Sequence, residues 1–189
     1  MRKLLIAAVA VLGIGCASKD PVHRGKPVSA WSQALRDPDA DMRRAAARAL
    51  GEMGPNAKAA IPDLATALKD SDSQVRVHAA RALASMGREA RTAVPELGEA
   101  LRDQDKEVRA AAAEALWSIG PDARAAVPQL IAALRDKHPS VRLNAAGALG
   151  EIGPEARDSL PALSAAARDS DLGVRDAAAK ALRRIQGQE

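Results

Sequence analysis

The amino-acid sequence predicts an all-α protein, a solenoid (superhelix) of five stacked 33-residue units with two helices in each. Three observations predict it. Several independent residue series share one 33-residue spacing, the composition offers small aliphatic side chains instead of aromatic ones, and turn signals recur at the same place in successive units. Arg43, Arg76, Arg109, Arg142 and Arg175 keep the spacing, and so do Pro62, Pro95, Pro128 and Pro161. Leu50, Leu83, Leu116, Leu149 and Leu182 form a third series. Gly54, Gly87, Gly120 and Gly153 form a fourth, with Gln186 at the fifth position. With two Trp, no Phe and no Tyr, one central core would depend on many small contacts. A stack in which each unit touches only its neighbours suits Ala-rich helices well.

Taken in chain order, the first element is an export signal, residues 1–15. Arg2 and Lys3 precede an apolar run of twelve residues, Leu4 to Gly15, which Cys16 and then polar residues follow. At about 1.5 Å per residue such a run is too short for a hydrocarbon core of about 30 Å, and it reads as a cleaved signal. Gly13-Ile14-Gly15-Cys16 resembles the lipobox of bacterial lipoproteins, although that motif usually has Leu where Gly13 stands. The resemblance implies that Cys16 is lipidated and becomes the first mature residue, so that acyl chains attach the protein to a membrane. Ala17 after the cysteine implies the outer membrane, facing the periplasm, over the inner one. The alternative is a plain secretory signal cut at a small residue, for instance after Ala17. Residues 16–27 are expected to be the lipidated cysteine and a tether, because they carry Pro, Gly and charge without apolar periodicity. Loss of Arg2 and Lys3 leaves 26 basic against 24 acidic residues, a net charge of +2. A single cysteine excludes an internal disulfide.

The repeat domain is expected over 28–189, with units near 28–60, 61–93, 94–126, 127–159 and 160–189. In each, helix A starts at or just before the proline, which tolerates a first helical turn. Ile61, Leu64 and Leu68 make one apolar stripe at i, i+3 and i+7. A short turn such as Lys69-Asp70-Ser71-Asp72 leads to helix B, where Val75, Ala79, Leu83 and Met86 share a face. Asp39, Asp72, Asp105 and Asp171 stand where a carboxylate caps helix B; the fourth unit has His138 there, before Pro139. Gly-Pro pairs then end helix B and reverse the chain. Trp31 replaces the leucine of the first helix A and reads as a core plug; Arg183, Arg184 and Gln186 give the last helix a polar, capping end.

The string Asp-x-x-Val-Arg-x-x-Ala-Ala-x-Ala-Leu, clearest at Asp105–Leu116 and Asp171–Leu182, resembles the short HEAT repeats of phycobilisome lyase type. Gly-Pro and Val-Pro-x-Leu belong to the same pattern, which covers residues 28–186. The resemblance implies a structural ladder in which Arg43, Arg76, Arg109, Arg142 and Arg175 bond the inter-helix turns of adjacent units. It also implies a concave face lined by the B helices.

No catalytic grouping is present. His23, His78 and His138 lie apart, no nucleophile, phosphate-loop or dinucleotide motif occurs, and nothing calls for a metal or other cofactor. Near-neutral mature charge argues against nucleic acid. A non-catalytic, monomeric scaffold in the bacterial cell envelope is therefore expected, with a protein or peptide as partner and the membrane reached through Cys16. An enzyme subunit that uses the repeats to shape a cleft, and a structural spacer, are the alternatives. Binding is expected where the units differ, opposite the Val75/Leu83 stripe: at Trp117, Glu114, Arg81, Arg48, Leu143 and Val77. Trp117 stands in a column otherwise mostly of small residues, either as a partner contact or as packing.

Overall fold

The structure, a computed structural model, describes residues 20–188. The signal segment, Cys16 and Ala17 lie outside the described residues. Among the described residues, ten α-helices follow one another in five pairs: α1 (Val28–Ala34) with α2 (Ala40–Met53), α3 (Ile61–Ala67) with α4 (Ser73–Met86), and α5 (Val94–Ala100) with α6 (Lys106–Ile119). The last two pairs are α7 (Val127–Ala133) with α8 (Pro139–Ile152), and α9 (Leu160–Ala166) with α10 (Leu172–Gln186). Odd-numbered helices are the A helices and even-numbered ones the B helices. None of the helices among the described residues is long and apolar enough to cross a membrane.

The local chemistry places these boundaries. Asp39, Asp72, Asp105 and Asp171 each accept a backbone N–H from the first turn of their B helix, whereas His138 makes no such side-chain bond. Pro139 at the first helical position compensates, since it has no N–H to satisfy. Each of the first four B helices ends on a glycine with positive φ, from +54° at Gly54 to +72° at Gly153, which a side chain would strain. Seven residues of 3₁₀ helix then lead to the next A helix, as in Gly54–Ala60. The repeating unit therefore has three pieces, and the tighter 3₁₀ piece had no signature in the apolar pattern.

Seven-residue A helices are too short to be stable alone, so packing holds them. Leu64, Leu97, Leu130 and Leu163 of the A helices are fully buried against the layer below, and so are Leu50, Leu83, Leu116 and Leu149 of the B helices. Leu182, in the last described B helix, is only partly buried. The B helices pack α2 on α4, α4 on α6, α6 on α8 and α8 on α10. Alanine and glycine let their backbones come close: a Cβ at Gly51 would lie 3.2 Å from the Ala82 Cα, and one at Gly150 would lie 3.1 Å from the Ala181 Cα.

Residues 20–27 correct the tether expectation. Strands β1 (Val22–His23) and β2 (Lys26–Pro27) form an antiparallel hairpin across Arg24 and Gly25, both with positive φ. The hairpin is tied to the first unit: the Trp31 indole donates to the His23 carbonyl at 3.1 Å, and the Glu52 carboxylate accepts from Arg24 and meets His23. The Lys26 ammonium lies 4.8 Å above the Trp31 ring. Asp20 accepts the Ser29 N–H at the start of α1. Trp31 is buried, as a core plug should be. These polar and aromatic contacts, rather than apolar periodicity, order the segment into an N-terminal cap.

Candidate functional site

Two surfaces are built on the B helices, one structural and one exposed. The arginine series makes the first. Arg43, Arg76, Arg109 and Arg142 each send two guanidinium nitrogens to one carboxylate 27 residues later, at Asp70, Asp103, Asp136 and Asp169. The remaining nitrogen donates to a carbonyl of the arginine's own inter-helix turn, for example from Arg109 to Asp103 at 2.8 Å. Each guanidinium thus joins two consecutive units. Arg175 keeps the carbonyls of Asp169 and Ser170, and no carboxylate meets it among the described residues. The aspartates also share a 33-residue series, which an alignment of the turns would have revealed beside the arginines.

Every carboxylate in the ladder accepts the N–H two residues on, as Asp136 does from His138 at 2.9 Å. Burial works to raise the Asp136 carboxyl, but Arg109 and that N–H together hold it below the usual carboxylate range. Arg142 and the Asp171 N–H bring Asp169 down to about 2.

The exposed surface is narrower than a single-helix projection suggests. Arg48, Arg81, Glu114 and Lys180 stand exposed in one column down the B layer, and Gly147 occupies the fourth position. Val77 is 1 % exposed, which corrects its assignment to the binding face. Its column leans over the start of the next B helix: in the same column Arg44 reaches Asp72 at 2.6 Å, and the Leu143 Cδ1 lies 2.8 Å from where a Cβ on Gly173 would sit. Leu143 is accordingly half-buried. Flanking B helices cover both sides of α4, α6 and α8 and leave only a strip open.

Charge along this strip falls into zones. Arg48 and Arg81 are paired loosely, at 3.8 Å to Glu52 and 3.9 Å to Glu107. The His78 imidazole is held below its ordinary value by burial first, and then by the nearby cations of Arg81, Arg48 and Arg44. Glu107 and Glu114 form an acidic middle, and Lys180, Arg183 and Arg184 form a second basic zone at the far end. Among the described residues Glu114, Lys180 and Arg183 make no ion pair.

Trp117 separates the acidic middle from that far end. It is partly buried, with its ring laid across α8 at Gly147: a Cβ there would fall 2.7 Å from Cδ2 and Cε3. Its indole N–H reaches the Glu151 carboxylate at a long 3.5 Å. Trp117 thus packs on a neighbouring unit and still lines an open cleft of about 130 Å³. The floor is Ala146, Gly147, Gly150, Ala177 and Ala181, and the rim carries Glu151, Lys180 and Arg184. Gly147 was not among the expected contacts, although the small residue beside a large aromatic one unit away was a usable signal. No group of three or more His, Cys, Asp or Glu among the described residues is placed to hold a metal ion.

Comparison with known proteins gives a consistent result. Residues 28–116 and 94–183 each match the family described as HEAT repeats. No curated protein matches the chain. Among solved structures, the complex of CpcE and CpcF of phycocyanin lyase from Nostoc sp. PCC7120 is 29% identical, with a TM-score of 0.75 over 89% of this chain and 69% of that one. An engineered protein is 28% identical, with a TM-score of 0.71 over 85% of this chain and 80% of its own. A designed armadillo repeat protein in complex with the peptide (KR)4 is 20% identical, with a TM-score of 0.73 over 84% and 81% of the two chains; that likeness is one of fold.

Proposed function

The chain belongs to the HEAT-repeat family, and from that premise we propose that it is a lipid-anchored, non-catalytic scaffold of a bacterial cell envelope. It binds a protein or peptide along the exposed strip of its B helices. One observation carries this reading: residues shared by all units are consumed in folding, while the strip from Arg48 to Lys180 varies from unit to unit and keeps charged groups loosely paired or unpaired. Surface that does no packing and still concentrates charge around an aromatic residue suits recognition.

The B helices pack closely on one another, whereas successive A helices meet sparsely, which supports a B layer on the shorter, concave arc. The similar phycocyanin lyase structure is a complex of two chains, in keeping with a protein partner here. The lipid anchor rests on the sequence, where an apolar run of twelve residues ends at the sole cysteine, Cys16. A chain of this kind works as a monomer facing the periplasm from the outer membrane.

Chemical crosslinking in the native cell, comparing the normal chain with a Trp117→Ala/Arg81→Ala variant, tests the binding face. A discrete adduct lost from the variant, with unchanged helix content, supports it; an identical adduct pattern refutes it. Mass spectrometry of the mature N-terminus tests the anchor. Acylated Cys16 as first residue is expected, and an unmodified Cys16 or cleavage after Ala17 would remove that part of the reading.

A further inference from the structure

The cleft beside Trp117 narrows the chemistry of the partner, on the premise that the B-helix strip is the binding face. We propose that it takes a short acidic peptide segment, in which a small apolar side chain sits against Trp117 and a neighbouring carboxylate meets Lys180 and Arg183.

Shape supports the apolar half. The cleft of about 130 Å³ has the volume of one aliphatic side chain, and its floor offers only methyl groups and glycine backbone. The space exists because position 147 is glycine: a methyl group there would occupy the plane of the indole and force Trp117 away from α8. Position 150 is also glycine, close against Ala181, so the floor stays low along its length. Trp117 is held on one side and open on the other, as an anchor for a partner's side chain needs to be.

Charge supports the acidic half. On the rim, the Glu151 carboxylate is engaged by Arg184 and by the Trp117 N–H. Lys180 lines the same cleft and Arg183 stands exposed beside it, and neither makes an ion pair among the described residues. With Arg184 balanced by Glu151, two cations remain to be complemented. The acidic middle of the strip, Glu107 and Glu114, lies on the other side of Trp117 and disfavours further extension of an acidic peptide in that direction. The segment therefore runs from Trp117 toward α10 and not toward α4.

The test uses the full-length protein in detergent and a capped hexapeptide of alternating glutamate and leucine, with glutamine–leucine and lysine–leucine counterparts. Trp31 is buried under the hairpin, so Trp117 reports occupancy through its emission. A saturable emission change with the glutamate peptide is expected, weakened at least about tenfold by Lys180→Glu/Arg183→Glu. Gly147→Ala, which fills the floor without changing charge, should also abolish it. An equal response to the glutamine or lysine peptide, indifference to the charge reversal, or no response at all overturns the proposal. Its failure is separable from failure of the broader reading. If the in-cell adduct is lost in Trp117→Ala/Arg81→Ala while the glutamate peptide does not bind the normal chain, only the acidic-segment assignment falls.

Discussion

Arg109 in α6 and Asp136 in the turn before α8 meet across a unit boundary as a two-pronged pair, Nε to Oδ2 at 2.6 Å and Nη2 to Oδ1 at 3.1 Å. The third nitrogen of the same guanidinium satisfies the Asp103 and Gln104 carbonyls of its own turn. Arg109 is 7 % exposed, so one side chain closes two turns from within the packed layer. Arg109→Ala would leave the Asp136 carboxylate half-buried without its cation, and should cost about 3 kcal/mol. In a domain of this size that corresponds to a fall in Tm of roughly 6–12 °C. Arg109→Lys keeps the charge and loses the fork, so an intermediate loss is expected. Thermal unfolding followed by circular dichroism measures both.

Position in the stack sets the size of this effect. Among the described residues Arg175 bonds only its own turn and meets no carboxylate. Arg175→Ala should therefore cost about 1 kcal/mol, the scale of ordinary hydrogen bonds, against the larger loss at Arg109. Equal losses at the two sites would mean that the own-turn bonds, and not the pair across the boundary, hold the units together.

Acid should weaken the stack within a defined window. Asp70, Asp103, Asp136 and Asp169 are all held below their ordinary value of 3.8, Asp169 at about 2. A carboxyl depressed in the folded state is more readily protonated when unfolded, so its contribution is complete above pH about 4. That contribution is lost as pH falls from there through the folded values. Denaturant midpoints measured between pH 5 and pH 2 should stay level and then drop, and Arg142→Ala should flatten part of the drop.

Gly147→Ala is expected to cost about 1–3 kcal/mol, although alanine favours helix over glycine, because the new methyl group overlaps the Trp117 ring. Trp117 emission should shift to longer wavelength as the ring is displaced into water. Combining Gly147→Ala with Trp117→Leu should recover most of the stability, and a urea titration of the single and double variants decides it.

Much of the fold was legible because a solenoid repeats its instructions. Caps such as Asp72, prolines such as Pro62 and buried leucines such as Leu83 each act within one unit, so alignment of the chain on itself exposes them. The hairpin at residues 20–27 was not legible, since it depends on Trp31 and Glu52 reaching back over the chain. The 3₁₀ pieces lack an apolar period of their own. Val77 was misplaced because helical projection treats one helix alone, whereas here the next B helix covers its column. The Trp117 cleft needed both a large residue and a glycine from the following unit, a pairing across units that a single-helix projection does not bring together.

The most direct measurement places a photo-crosslinking amino acid at single positions in the native cell. Arg81, Glu114 and Lys180 sample the B-helix strip, and Thr66, Glu99 and Ala132 sample exposed positions on the A helices. Recognition through the B helices requires a discrete adduct from the first three positions and none from the second three. Adducts from the A-helix positions alone, or equal adducts from both sets, would contradict it.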